Sequence, residues 1–170
     1  RICDTRKTTP GLRALEKYAV RCGGGHNHRA GLFDAVLIKD NHLALGASLL
    51  DGTRFSPAEA VARARKFISG FLSPGVLAKT LIEVEVDTLD QLREVLLQRP
   101  DIVLLDNMSL DQLASAVRLR DELAAEVELE ASGGVTLSSL ASIAATGVER
   151  ISAGALTHSA VWFDVALDWG

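Results

Sequence analysis

Between Gly23 and His42 the chain reads GGGHNHRAGLFDAVLIKDNH, and three of its four histidines fall there beside Arg29 and Lys39. The apolar run Ala35–Ile38 reads as a buried strand. Burial explains Val36, Leu37 and Ile38, but not the Lys39-Asp40-Asn41-His42 that follows them directly. Polar groups gathered at a strand's carboxyl end are how a barrel site is built. A second such group, Arg6 and Lys7 in Asp-Thr-Arg-Lys-Thr-Thr-Pro, follows the short apolar run at Ile2. An arginine fork matches a carboxylate or phosphate in two places, and lysine adds a point charge. Taken alone, Arg6 and Lys7 could equally be a solvated turn. The first thirty residues carry Arg1, Arg6, Lys7, Arg13, Lys17, Arg21 and Arg29 against only Asp4 and Glu16, so a small anion could be held there.

The histidines admit two chemistries. His26, His28 and His42 could assemble a zinc or iron site, but a catalytic zinc site needs a well-defined third ligand, and Arg29 would repel the ion. Anion binding by His28 and Arg29 fits better, with His26 structural. Lys39 could be a Schiff-base nucleophile, an anion ligand or a chain snorkelling to solvent, and the neighbouring cations favour the anion. Glu85 and Asp106, near the ends of two later strands, could hold Mg2+, bind sugar hydroxyls or stabilise developing positive charge. They could also merely pair with the rim cations, and Glu83 or Glu130 could stand in for either. Ser132-Gly133-Gly134 and Ala153-Gly154-Ala155 are small-residue loops of the kind that offers backbone N–H groups to phosphate.

The elements that must position these groups alternate. Thr9-Pro10 predicts a helix start, with Leu12, Leu15, Tyr18 and Ala19 on one face. A short helix is expected over Ala44–Leu50, and Ser56-Pro57-Ala58-Glu59 is a capping box whose helix turns Ala60, Val61, Ala64, Phe67 and Ile68 inward. Strands are expected at Leu81–Val86, Ile102–Leu105, Val127–Ala131 and Arg150–Ser152. Thr88, Ser109 and Thr136 are read as caps of the intervening helices, the last with Leu137, Leu140 and Ile143 inward. About six strand–helix units imply parallel strands with right-handed crossovers. An open doubly wound sheet would satisfy the same alternation. Closure towards a barrel is preferred because every strand ends in chemistry, and because Glu83, Glu85, Glu128 and Glu130 demand a polar interior.

The net charge of −4 argues against a general nucleic-acid or membrane-surface role. Cys3 and Cys22 are too few for a disulfide framework. No apolar run approaches the ~18 residues of a membrane span, no signal peptide is visible, and the cytoplasm is the expected compartment. The 170 residues are expected to form one domain. They open at Arg1 with Met108 as the only methionine, which suggests a fragment whose beginning is missing.

The segments DTRKTTPGLR (4–13), GGGHNHRAGLFDAVLIKDNH (23–42), IEVEVD (82–87), VLLDNM (103–108), ASGGV (131–135) and ISAGALTHS (151–159) together resemble the quinolinate phosphoribosyltransferase family. The resemblance implies an incomplete, about six-stranded parallel β/α barrel of the TIM-like type. The implied reaction joins quinolinate to phosphoribosyl pyrophosphate with loss of CO2, giving nicotinate mononucleotide in NAD biosynthesis. It implies that Arg6, His28, Arg29 and Lys39 grip the two carboxylates of quinolinate with Thr5 shaping the pocket, and that Lys7 and Lys39 face the pyrophosphate. Glu85 and Asp106 would hold ribose, directly or through Mg2+, with Lys39, Glu85 and Asp106 closest to the chemistry. Ser132, Gly133, Gly134 and Ala153–Ala155 would cradle the 5′-phosphate. It also implies an amino-terminal domain ahead of Arg1, which lends an arginine to a neighbouring subunit in a homodimer or larger homo-oligomer. The connection from 43 to 80 looks longer than the family's, and the helix from Ser56 is taken as added length outside the barrel. Alternatives are an inactive phosphate-binding barrel fragment, a Schiff-base aldolase, and a related phosphoribosyltransferase for another pyridine carboxylate.

Overall fold

A computed structural model describes residues 1–50, 55–161 and 163–170. Six parallel strands form one sheet in the order β1-β6-β5-β4-β3-β2, so the first two strands of the chain are its two edges. The strands are β1 (Ile2–Cys3), β2 (Val36–Ile38), β3 (Ile82–Val86), β4 (Ile102–Asp106), β5 (Glu128–Ser132) and β6 (Arg150–Ser152). The sheet is an open, TIM-barrel-like α/β structure, not closed by hydrogen bonds between β1 and β2. His26 extends the β1 edge through one parallel bridge to Cys3.

The two faces of the sheet carry different residues. Val84, Val103 and Leu129 lie in register, as do Val86, Leu105 and Ala131, and all six are buried in the apolar core against the helices. The other face carries Glu85, Leu104, Glu130 and Arg150 in one row, with Glu83 and Ile102 in the row below. Strand alternation thus separates an apolar layer from a charged interior.

The helices are α1 (Arg13–Cys22), α2 (Asp40–Leu50), α3 (Pro57–Phe71), α4 (Pro74–Leu77), α5 (Leu89–Leu96), α6 (Leu110–Leu123), α7 (Leu140–Ala144) and α8 (Ala155–His158). Ser56 and Ser109 close capping boxes with Glu59 and Gln112, and the Thr88 hydroxyl accepts from the Gln91 N–H. Three expectations need correction. The helix read from Thr9 begins only at Arg13, and it buries Lys17 and Val20 while Leu12, Leu15, Tyr18 and Ala19 stay exposed. Residues 9–12 instead turn to bring Arg13 onto the Thr8 hydroxyl and the Arg6 carbonyl. The helix read from Thr136 begins at Leu140, because Thr136 and Ser139 spend their side chains on a local hydroxyl turn that leaves Leu137 in solvent. Finally, α3 is no outer addition. Val61 and Ile68 lie in the core, so α3 is the crossover helix between β2 and β3, although Phe67 points outward and stacks on Phe71.

Candidate functional site

A cavity of about 630 Å³ opens at the carboxyl ends of the strands. Thr5, Arg6 and Lys7 enter from beyond β1, and His28 and Arg29 from the segment beside it. Lys39 enters after β2, Glu85 from β3, Asp106 and Asn107 from the end of β4, and Ser132, Gly133 and Gly134 from β5. Residues following the two edge strands therefore face one space, which requires the sheet to curl as the barrel reading expected. Ala153, Gly154 and Ala155 are not part of this lining; Ser152 is. Gly154 instead lies close to Lys7 and His158.

Local chemistry fixes each group. Lys39 is followed at once by α2, which starts at Asp40 rather than Ala44, so His42 sits in its first turn and accepts the Lys39 backbone N–H at 3.0 Å. The Lys39 ammonium pairs with the Glu85 carboxylate. The Asn107 amide donates to Asp106 Oδ2 at 2.8 Å. Asn107 and Gly133 both take positive φ, 52° and 93°, and a Cβ at Gly133 would collide with the Asn107 side chain. The loop after β5 is thus folded against the loop after β4. Thr157 of α8 donates to the Lys7 carbonyl at 2.7 Å, tying the loop after β1 to the last helix.

The cations are not neutralised one by one. Among the described residues, Arg6 Nε is the buried side-chain nitrogen with no hydrogen-bond partner. Burial, and then the Arg6 guanidinium, hold Arg29 below the ordinary arginine pKa. Two guanidiniums crowded on one wall, one with an unmatched donor, have the chemistry to accept an anion of more than one charge.

A family model described as quinolinate phosphoribosyl transferase, C-terminal domain, matches residues 1–168. The chain belongs to this family. It is 45% identical over 168 residues to the probable nicotinate-nucleotide pyrophosphorylase [carboxylating] of Bacillus subtilis, covering 99% of this chain and 52% of the relative. It is 47% identical over 168 residues to the Mycobacterium leprae enzyme of that name, covering 99% and 53%. The solved nicotinate-nucleotide pyrophosphorylase of Francisella tularensis superposes with a TM-score of 0.74 at 43% identity, over 92% of this chain and 48% of that one. The chain spans about half the length of the curated relatives it matches. No helix among the described residues is long and apolar enough to cross a membrane.

At the inner wall of the cavity, this quinolinate phosphoribosyl transferase domain buries a cluster that the motifs did not reveal. His28 Nε2 lies 3.1 Å from Glu83 and 3.3 Å from Glu130. Arg150 donates to Glu130 at 2.6 Å, and the Ser152 hydroxyl donates to the same carboxylate. Burial pulls His28 towards neutrality, but Glu130 and Glu83 outweigh it and raise its pKa to about 9. The Arg29 N–H, 2.8 Å from Nδ1, favours the neutral ring. That bond uses the Nδ1 lone pair, so the imidazolium that Glu83 and Glu130 favour forms at the cost of this one hydrogen bond. Burial raises Glu130, yet the His28 hydrogen bond and charge, Ser152 and Arg150 bring it below the usual carboxylate value.

His28, Glu83 and Glu130 form a group geometrically capable of coordinating a metal, with ligand atoms within 4.8 Å of one another. Arg150 and the raised imidazolium already balance those acids, so this group is saturated as an ion network. Glu85 and Asp106 offer the oxygen donors a hard cation takes, and they face the cavity. Glu83 and Glu130 hold His28, and Glu130 also lines the cavity. Their signal in the sequence was the alternation that placed four glutamates on one sheet face. Nothing in the sequence paired them with His28.

Proposed function

We propose that this domain performs decarboxylating phosphoribosyl transfer, joining quinolinate to phosphoribosyl pyrophosphate to give nicotinate mononucleotide, pyrophosphate and CO2. The observation that carries the reading is the pairing of Arg6, with its unmatched buried Nε, and Arg29 in a cavity that Lys7 and Lys39 also enter. That wall suits the two adjacent carboxylates of quinolinate, with Thr5 and His28 shaping it. Lys7 and Lys39 face the pyrophosphate, while Ser132, Gly133 and Gly134 receive the 5′-phosphate. Backbone around Ala153–Ala155 supports that cradle from beside it, since α8 is only 4 residues long.

Glu85 and Asp106 hold the ribose hydroxyls and would hold Mg2+, directly or through water. Bound there, Mg2+ would neutralise charge on the pyrophosphate. The ring nitrogen forms its bond to the sugar carbon as the bond to pyrophosphate breaks, and Glu85 and Asp106 stabilise the positive charge that develops at that carbon. The 2-carboxylate then leaves as CO2, its bonding electrons remain on the ring beside the new cationic nitrogen, and a proton takes its place. The protein's work is orientation and charge balance.

The reading extends to a cytoplasmic homo-oligomer that acts on small molecules rather than nucleic acid or membrane. The exposed α1 face of Leu12, Leu15 and Tyr18 supports self-association. Release of CO2 from carboxyl-labelled quinolinate, dependent on both phosphoribosyl pyrophosphate and Mg2+ and lost in Glu85→Gln, is the expected result. Quinolinate binding that survives Arg6→Ala unchanged would overturn the reading.

A further inference from the structure

Asp4 and Lys17 are inside the molecule with Asn27 half-buried beside them, and all three are outside the cavity. Asp4 is 0% and Lys17 5% exposed, and none of the three is in the cavity lining. The Asp4 carboxylate gathers three donors: Lys17 Nζ at 2.5 Å and the His28 backbone N–H at 2.8 Å on Oδ1, and the Asn27 amide at 2.5 Å on Oδ2. Lys17 Nζ also donates to the His28 carbonyl at 3.1 Å, and Asn27 to the Lys17 carbonyl at 2.9 Å. Both peptide groups of His28 are thereby clamped, one by each member of a buried ion pair.

The clamp sits where regular structure gives out. The loop bearing Arg6 and the loop bearing Arg29 are joined by the Cys3–His26 bridge, the hydrogen bonds flanking it, and Arg13, which donates to the Arg6 and Ala30 carbonyls. Burial first, and then repulsion from the Arg6 guanidinium, hold Arg29 below the ordinary arginine pKa. A device is needed to keep two like charges facing one ligand, and Asp4 stands two residues before Arg6 while gripping the peptide before Arg29. We propose that Asp4, Lys17 and Asn27 are positioning residues that lock the His28–Arg29 segment against the Arg6 loop, and so set affinity for the dicarboxylate without touching it. The role rests on the proposed function for the identity of the ligand, but not for the clamp itself.

The test is Lys17→Met, with Asn27→Ser as a milder second variant, each first shown to be folded by circular dichroism and a cooperative melt. Quinolinate affinity, measured by calorimetry, should fall on the order of tenfold or more. Affinity for phosphoribosyl pyrophosphate should stay within about twofold, since Lys39, Glu85, Asp106 and the loop after β5 lie on other strands and Lys7 is held separately by Thr157. A ligand-free readout accompanies it: the His28 ring titration followed by 15N NMR. Removing the Lys17 charge by itself would raise the His28 pKa, whereas release of the clamp lets the ring leave Glu83 and Glu130 and lowers it from about 9. A lowered His28 pKa with selective loss of quinolinate is the expected pair. An unchanged or raised pKa in folded Lys17→Met, or equal loss of both ligands, overturns the clamp. If the parent chain binds no quinolinate, the functional reading fails while the NMR result still decides the clamp.

Discussion

At the scale of single residues, the site is a problem of unbalanced charge. Arg6 carries a buried, unmatched donor, so it has most to gain from a carboxylate. Arg6→Ala should weaken quinolinate binding on the order of 100-fold, and Arg6→Lys should recover only part of that because lysine lacks the fork; equilibrium titration of both variants checks it. His28 makes a different prediction. Its folded pKa is raised from 6.5 to about 9, so its contribution to stability is complete below 6.5 and is lost as pH rises through 9. Denaturant melts should show stability falling by on the order of 2 kcal/mol across that window, and His28→Gln should flatten the fall. Glu130 has the opposite sign. Its lowered pKa contributes stability above its ordinary 4.5 that is lost on acidification.

Elements carry these residues with unequal precision. Where a cap was spelled out by chemistry, as in Ser109-Leu110-Asp111-Gln112, the helix starts where the sequence says. Ser109→Ala should cost about 1 kcal/mol in a denaturant melt without altering ligand binding. Where side chains take the nearby polar groups, Glu16 the Thr9 N–H, Arg13 the Thr8 hydroxyl, and the Thr136-Ser138-Ser139 hydroxyls one another and the Thr136 carbonyl, they outcompete the helix and it starts late. The loop after β5 is more demanding. Gly133 has φ 93° and no room for a Cβ beside Asn107. Gly133→Ala should destabilise the fold by about 1–2 kcal/mol and abolish binding of phosphoribosyl pyrophosphate in calorimetry, since Asn107 can yield only into the cavity.

For the whole molecule, the curl of an open sheet matters more than its strand order. The edges β1 and β2 are the farthest apart in the hydrogen-bonded order, yet Arg6 and Lys39 face one cavity. An exposed Leu12, Leu15 and Tyr18 on α1 predicts that the 18.1 kDa chain sediments as a larger species, and that Leu15→Glu with Tyr18→Glu shifts it to monomer in analytical ultracentrifugation. The sequence alone determined the strand count and the parallel alternation, and it placed Arg6, Lys7, Lys39, Glu85, Asp106 and Ser132–Gly134 at strand ends, because hydrophobic periods and strand-end polarity are local properties, while Thr5 entered only through the family resemblance. It could not decide which face α1 buries, since Lys17 outranks Leu15 there only when Asp4 and the His28 carbonyl are within reach. Nor could it join His28 to Glu83 and Glu130. They are 55 and 102 positions away, and only the packing of segment 26–29 across the charged face of the sheet gives that histidine its partners.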